Sequence, residues 1–319
     1  MIIRYTILAL LACFTLGCSS SGKEDVKPEP DEVEVPEKLE IGYSLGVRNF
    51  TNEILAYAKS VGIDHVEAAG MNYFFDSNGE LSQTEGTMQS IFNSAKAAAD
   101  AEGINVSSIH MAYSEKMDLS LINEESRKKV VQGHIKLLEY IKVLKPDYIL
   151  VHPSYYLDPP NQREQRKSQL LKSLNELNEA VKAIGSTLVV ENMLGPELMA
   201  GQRERPLMRT VEECVEIMGR LPRTIGLAVD MCHIKNPEIL IERLGDRLMT
   251  VHVSDGTGRA ENHWFPCSGQ GENDWNAILS ALDKVGYEGV FMYECNFDDV
   301  KDLVNCYNTL HANYVQSLK

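Results

Sequence analysis

Seven residues able to ligate a metal or move a proton stand at the ends of six apolar runs in this chain. His110 closes SSIH, His152 closes ILVH and Glu191 closes LVVE. Asp230 closes GLAVD with His233 three residues on, His252 sits in MTVHV, and Glu294 closes FMYE. Imidazoles and carboxylates together suit Zn, Mn, Fe, Co or Mg better than the soft metals that thiolates select. Any single His has an ordinary reading as a hydrogen-bonded structural residue. A buried carboxylate is harder to dismiss, because an unpaired one is costly. Recurrence at so many run ends is what points to a shared site. Glu191, Asp230, His252 and Glu294 would set three negative charges around one divalent cation. Positions would stay free for water or for ligand oxygens, an open and therefore catalytic arrangement. His65, His134 and His311 fall outside the pattern and read as ordinary.

Such residues meet only if the runs that carry them are brought side by side. Candidate strands lie at 39–44, 64–68, 104–110, 147–152, 186–191, 224–229, 248–253 and 289–294. Between and after them, helical spacing marks 51–61, 86–101, 124–144, 163–184, 209–219, 236–244, 274–285 and 299–315. Alternating strands and helices imply parallel pairing with right-handed crossovers. Eight such units make an α/β fold, a single (β/α)8 TIM barrel, and no GxGxxG after the first strand favours an open doubly wound sheet. In a barrel all C-terminal strand ends open at one mouth, where active sites sit. Thr51, Asn123, Thr210 and the Asn273-Asp274 pair are placed to cap helices. Gly62, Gly103, Gly185, Gly245 and Gly286 are placed to end them in left-handed conformation.

The N-terminus reads as a separate matter. Arg4 is the only charge in the first 22 residues, and an apolar run follows from Ile7 to Leu16. That run is shorter than the roughly 20 residues a membrane span needs, but has the length of a signal-peptide core. Leu16-Gly17-Cys18-Ser19-Ser20 resembles a lipobox, which implies a signal peptide over 1–17, cleavage before Cys18 and acylation of its thiol. Ser19 after the cysteine implies sorting to the outer membrane. Residues 18–38 are polar and proline-bearing and read as a disordered tether, leaving 39–319 for the barrel. The net charge of −15 argues against a nucleic-acid partner and suits a neutral small molecule. Past the anchor, Cys214, Cys232, Cys267, Cys295 and Cys306 show no CxxC pair and are odd in number, so the expectation is buried free thiols.

Glu191, Asp230-x-x-His233, His252 and Glu294, with His263-Trp264-Phe265-Pro266 through Gly269-Gln270-Gly271, resemble the xylose-isomerase-like barrel superfamily over about residues 39–315. That superfamily includes sugar isomerases and epimerases and the type IV AP endonucleases. The resemblance implies that Glu191, Asp230, His252 and Glu294 bind one divalent metal ion. It implies that Glu191 and Glu294 are also the catalytic pair, moving a proton beside the carbonyl of a keto-sugar. His233 would bond a substrate hydroxyl, Arg259 or His263 would reach its far end, and His110 and His152 would line the pocket. The departure is that His110, His152, His233, Glu261 and His263 occupy places that complete a three-zinc cluster in the endonucleases. Three readings therefore stay open beside the epimerase: a lyase or hydrolase acting on 3-keto-glycosides, a sugar-binding lipoprotein without activity, and a three-zinc phosphodiesterase. Gln202, Arg203, Arg205 and Arg209 could bind an anionic group. Tyr73, Phe74 and Phe75 could form an aromatic wall.

Overall fold

Each apolar run becomes a strand whose alternate residues face inward. The computed structural model describes residues 35–319, so the signal peptide, Cys18 and most of the tether lie outside the described residues. The strands are β1 (Ile41–Gly46), β2 (His65–Ala69), β3 (Asn105–His110), β4 (Tyr148–Val151), β5 (Thr187–Glu191), β8 (Ile225–Asp230), β9 (Leu248–Val253) and β10 (Phe291–Tyr293). They pair in parallel and close in the order β1-β10-β9-β8-β5-β4-β3-β2. The helices are α1 (Asn52–Ser60), α2 (Glu85–Glu102), α3 (Glu124–Ile141), α4 (Arg163–Ala183), α5 (Val211–Gly219), α6 (Pro237–Leu244), α7 (Trp275–Lys284) and α8 (Val300–Ser317). The expected eight-stranded barrel is what forms. Two short strands were not foreseen: β6 (Met199–Ala200) and β7 (Arg203–Glu204) make an antiparallel hairpin in the loop after β5.

Helix starts follow their capping residues. Thr51, Asn123, Thr210 and Asp274 each accept a backbone N–H three residues on. Gly62, Gly103, Gly185 and Gly286 have positive φ, as a left-handed helix end requires. Gly245 corrects that expectation. Its φ is −55°, and its glycine is needed for space, because a Cβ there would lie 2.5 Å from Val285 Cγ1.

The core has two parts. A large apolar layer lies between strands and helices, while Leu150, Val189 and Ala228 form a small cluster of their own. A strand's side chains alternate, so His152, Glu191 and Asp230, each two residues beyond one of these, share their face. Register then sets neighbours: Asp230 lies opposite His252, and Glu191 opposite Ala228.

The expectation of free thiols holds for buried Cys214 and Cys232 and half-buried Cys295, and is wrong for the rest. Cys267 and Cys306 form a disulfide across 39 residues. It ties the loop after β9 to α8, a pairing that only the approach of those two elements creates. No helix among the described residues is long and apolar enough to cross a membrane.

Candidate active site

Four strand ends converge on one imidazole nitrogen. His252 Nδ1 lies 2.7 Å from Glu294 Oε2, 2.9 Å from Glu191 Oε1 and 3.9 Å from Asp230 Oδ2. Glu191, Asp230 and His252 are fully buried, while the Glu294 side chain is 25% exposed. One nitrogen carries at most one proton, so it cannot satisfy three carboxylates. Glu191 Oε2 and Asp230 Oδ2 are in fact buried with no hydrogen-bond partner. His152 Nε2 comes within 3.0 Å of Glu191 Oε2 without hydrogen-bond geometry. Buried carboxylate oxygens left without a partner call for positive charge beside them. The four residues offer ligand atoms that all lie within 4.8 Å of one another, and the donor set of carboxylates and imidazole suits a divalent cation.

The titration of these groups reflects the crowding. Burial pushes the Glu191 carboxyl up, but the His252 and His152 imidazoles beside it win and hold it well below the usual range. Burial likewise opposes His252 at Glu294, and His252 wins, bringing that carboxyl down to about 2. Asp230 goes the other way: burial, helped by the Glu191 and Glu294 charges, outweighs His233 and His263 and raises it. Two anions and a third acid pushed up is what like charges around one point produce.

Around this centre stands a ring of histidines with their tautomers set by the backbone. His233 Nδ1 donates to the Asn192 carbonyl, His263 Nδ1 to that of Glu294 and His110 Nδ1 to that of Met111. A carbonyl only accepts, so each Nε2 is left to face the site. The Nε2 atoms of His233 and His263 both meet Glu261 Oε2, at 3.0 and 3.2 Å. His110 Nε2 lies 3.7 Å from Glu191 Oε2. His263 adopts a positive φ of 42°, an uncommon conformation for a side chain of its size.

Other expected residues lie elsewhere. Arg259 is exposed and pairs with Glu197 at 3.1 Å. Arg205 also approaches Glu197, Arg209 bonds the Pro196 carbonyl, and Arg203 lies over the rings of Tyr155 and Tyr156. Of the three aromatics after β2, only Tyr73 is exposed; Phe74 is buried against Phe92. His65 bonds Glu40 and Ser107, and His311 bonds the Pro36 carbonyl.

The sequence reading missed two neighbours of the site. Tyr113 stacks on His152 with ring centroids 4.3 Å apart and is 46% exposed. Nothing in its loop signals this. Glu67 on β2 is fully buried and lies 3.0 Å from His252 Nε2. It had a signal, a lone carboxylate within the apolar run HVEAA.

A family model described as "Xylose isomerase-like TIM barrel" matches residues 55–318. The chain belongs to that family. Fructoselysine 3-epimerase of Escherichia coli O157:H7 is 24% identical over 176 residues, which is 53% of this chain and 60% of that protein. The match thus spans less than two thirds of that epimerase. The fold is similar to a D-tagatose 3-epimerase-like protein at TM-score 0.70 and 19% identity, covering 88% of this chain and 100% of that one. It is also similar to 3-keto-D-glucoside 4-epimerase from E. coli, at TM-score 0.63 and 19% identity, covering 85% and 100%. The protein is a xylose isomerase-like TIM barrel with a candidate His/Glu/Asp metal site.

Proposed function

We propose that this protein is a divalent-metal-dependent sugar isomerase or epimerase. Glu191 and Glu294 would act as the proton-transfer pair beside the carbonyl of a keto-sugar. The observation that carries the reading is the placement of two anionic carboxylates, Glu191 and Glu294, within 2.9 Å of one nitrogen, His252 Nδ1, beside buried carboxylate oxygens of Glu191 and Asp230 that have no hydrogen-bond partner. Glu191, Asp230, His252 and Glu294 would hold the metal, whose charge stabilises the negative charge that builds on a carbonyl oxygen. One glutamate takes the proton from the neighbouring carbon, breaking C–H and forming O–H. The other carboxylate, after taking a proton from a substrate hydroxyl or water, would deliver it to the opposite face of that carbon. A carboxylate is a weak base for carbon, so this works only where the product anion is stabilised. His233 and His263, with Nδ1 engaged, would turn Nε2 from Glu261 to substrate hydroxyls. Tyr113 and His152 offer a stacked flank at the mouth.

The same pair would serve elimination on a 3-keto-glycoside, and the fold's likeness to a 3-keto-D-glucoside epimerase favours considering it. An extracytoplasmic setting, where sugar phosphates are scarce, agrees with a free or glycosidic substrate. The Cys267–Cys306 disulfide supports that setting, since such bonds persist in oxidising compartments. A second reading adds metal ions: Glu261 with His233 and His263, and His110 with His152, are two further groups that extra zinc would satisfy.

The test is isotope exchange. Metal-loaded protein is incubated in heavy water with D-fructose, D-tagatose and 3-keto-glucosides. Deuterium is expected at the carbon next to the carbonyl of at least one. Glu191→Gln and Glu294→Gln should each lose exchange by about 100-fold or more while still binding sugar. Binding without exchange across the panel would leave a receptor. Elemental analysis of the same samples separates about one bound metal from about three. None after reconstitution would sink the metal reading.

A further inference from the structure

Glu67 sits where a carboxylate has no cheap reason to be. It is fully buried on β2, between Val66 and Ala68, which are also fully buried. Around the barrel wall, β1 and β10 separate β2 from β9. Glu67 can therefore meet His252 only across the interior. One oxygen, Oε2, accepts from Ser108 Oγ at 2.8 Å and lies 3.0 Å from His252 Nε2. The other, Oε1, is buried with no partner. Among the described residues, no Lys or Arg nitrogen lies within 4.0 Å of it; His252 is its one ion-pair partner. A buried carboxylate with an orphaned oxygen is destabilising unless something compensates its charge. A merely structural link between Ser108 and His252 needs no negative charge.

We infer that Glu67 is a positioning residue that sets the state of His252. This rests on the metal reading given above. A carboxylate at Nε2 keeps the proton on that nitrogen and leaves the Nδ1 lone pair facing Glu191, Asp230 and Glu294. It also makes that lone pair more basic and fixes the ring plane, which is how a carboxylate behind a ligating histidine strengthens a metal site. The charge on Glu67 is then balanced through the ring by the cation on its other side. That explains why the interior tolerates an otherwise unmatched acid.

The test measures cobalt affinity, with the cobalt absorption spectrum, for wild type, Glu67→Gln and Glu67→Leu. The glutamine keeps the shape and an acceptor but loses the charge. We expect about 10-fold weaker cobalt binding for Gln and nearer 100-fold for Leu, with a shifted spectrum in each. The zinc-loaded wild type should show the His252 proton on Nε2 by nitrogen NMR. Thermal unfolding identifies any variant that fails to fold; should Leu fail, the Gln variant and the wild-type tautomer still decide the matter. A folded Glu67→Gln with wild-type cobalt affinity and spectrum, or an Nδ1 proton in the zinc form, overturns the proposal and leaves the metal reading standing. A wild type that binds no cobalt overturns the metal reading itself, and this inference with it.

Discussion

Single side chains in this protein carry charge states that their surroundings impose. His134 is the simplest case. It lies on α3, 1% exposed, near Phe75, and burial pushes its pKa down from 6.5 to about 4. The folded state thus keeps the imidazole neutral, while the unfolded chain takes up a proton below pH 6.5. A depressed folded pKa means stability that is complete above 6.5 and is lost as the pH falls toward 4. A shift of this size is worth at most about 3 kcal/mol. Replacing His134 by Leu is expected to flatten that acid limb, read as the fall in Tm between pH 7 and 4.5. An unchanged limb would show that other groups set it. By the same reasoning the imidazoles beside Glu191 and Glu294 hold both carboxylates as anions, the form a base requires, while making each a weaker base than a free glutamate.

Among the elements, the loop after β9 does the most to shape the site. It brings Glu261 and His263 over the mouth, and three devices hold it. Asp255 accepts from the backbone of Gly256 and Asn273 and from Trp275 Nε1. Gly271 is glycine because a Cβ there would lie 1.9 Å from Asp255 Cγ. The Cys267–Cys306 bond pins the far side of the loop to α8. Closing a loop of 39 residues restricts the unfolded chain by roughly 2–4 kcal/mol. The double variant Cys267→Ser/Cys306→Ser should therefore melt several degrees lower, and reductant should have the same effect on wild type. A Tm that moves in neither case would mean that the bond closes nothing the fold does not already hold.

For the molecule as a whole, charge and ends frame the chemistry. A net charge of −15 on 319 residues repels polyanions and agrees with the neutral sugar we propose as substrate. The membrane anchor is our proposal from Leu16–Ser20, and the described residues neither include that stretch nor contain a spanning helix. Acyl chains on one cysteine bind a bilayer by about 0.8 kcal/mol per buried methylene. Cys18→Ala is thus expected to move the protein from the membrane fraction to the soluble fraction of its host. If both forms fractionate alike, the lipobox reading fails, and with it the argument that keeps this metal site away from sugar phosphates.

What is written within a few residues is legible from the chain alone. The strands appear within two residues of their expected bounds because each is a short apolar run. The caps at Thr51, Asn123, Thr210 and Asp274 were legible because a cap bonds its own helix three residues on. The candidate ligands stood out because polar residues closing apolar runs are rare enough to notice. The remaining contacts depend on closure of the barrel. Glu67 and His252 are 185 residues apart and meet only across the barrel interior. Tyr113 finds His152 only when two loops share one mouth. Cys267 meets Cys306 only when α8 packs beside the loop after β9. Helix caps and burial patterns act along the chain, so they leave a trace in the order of residues. Contacts across the barrel depend on which strand ends arrive together, and no local stretch of sequence records that.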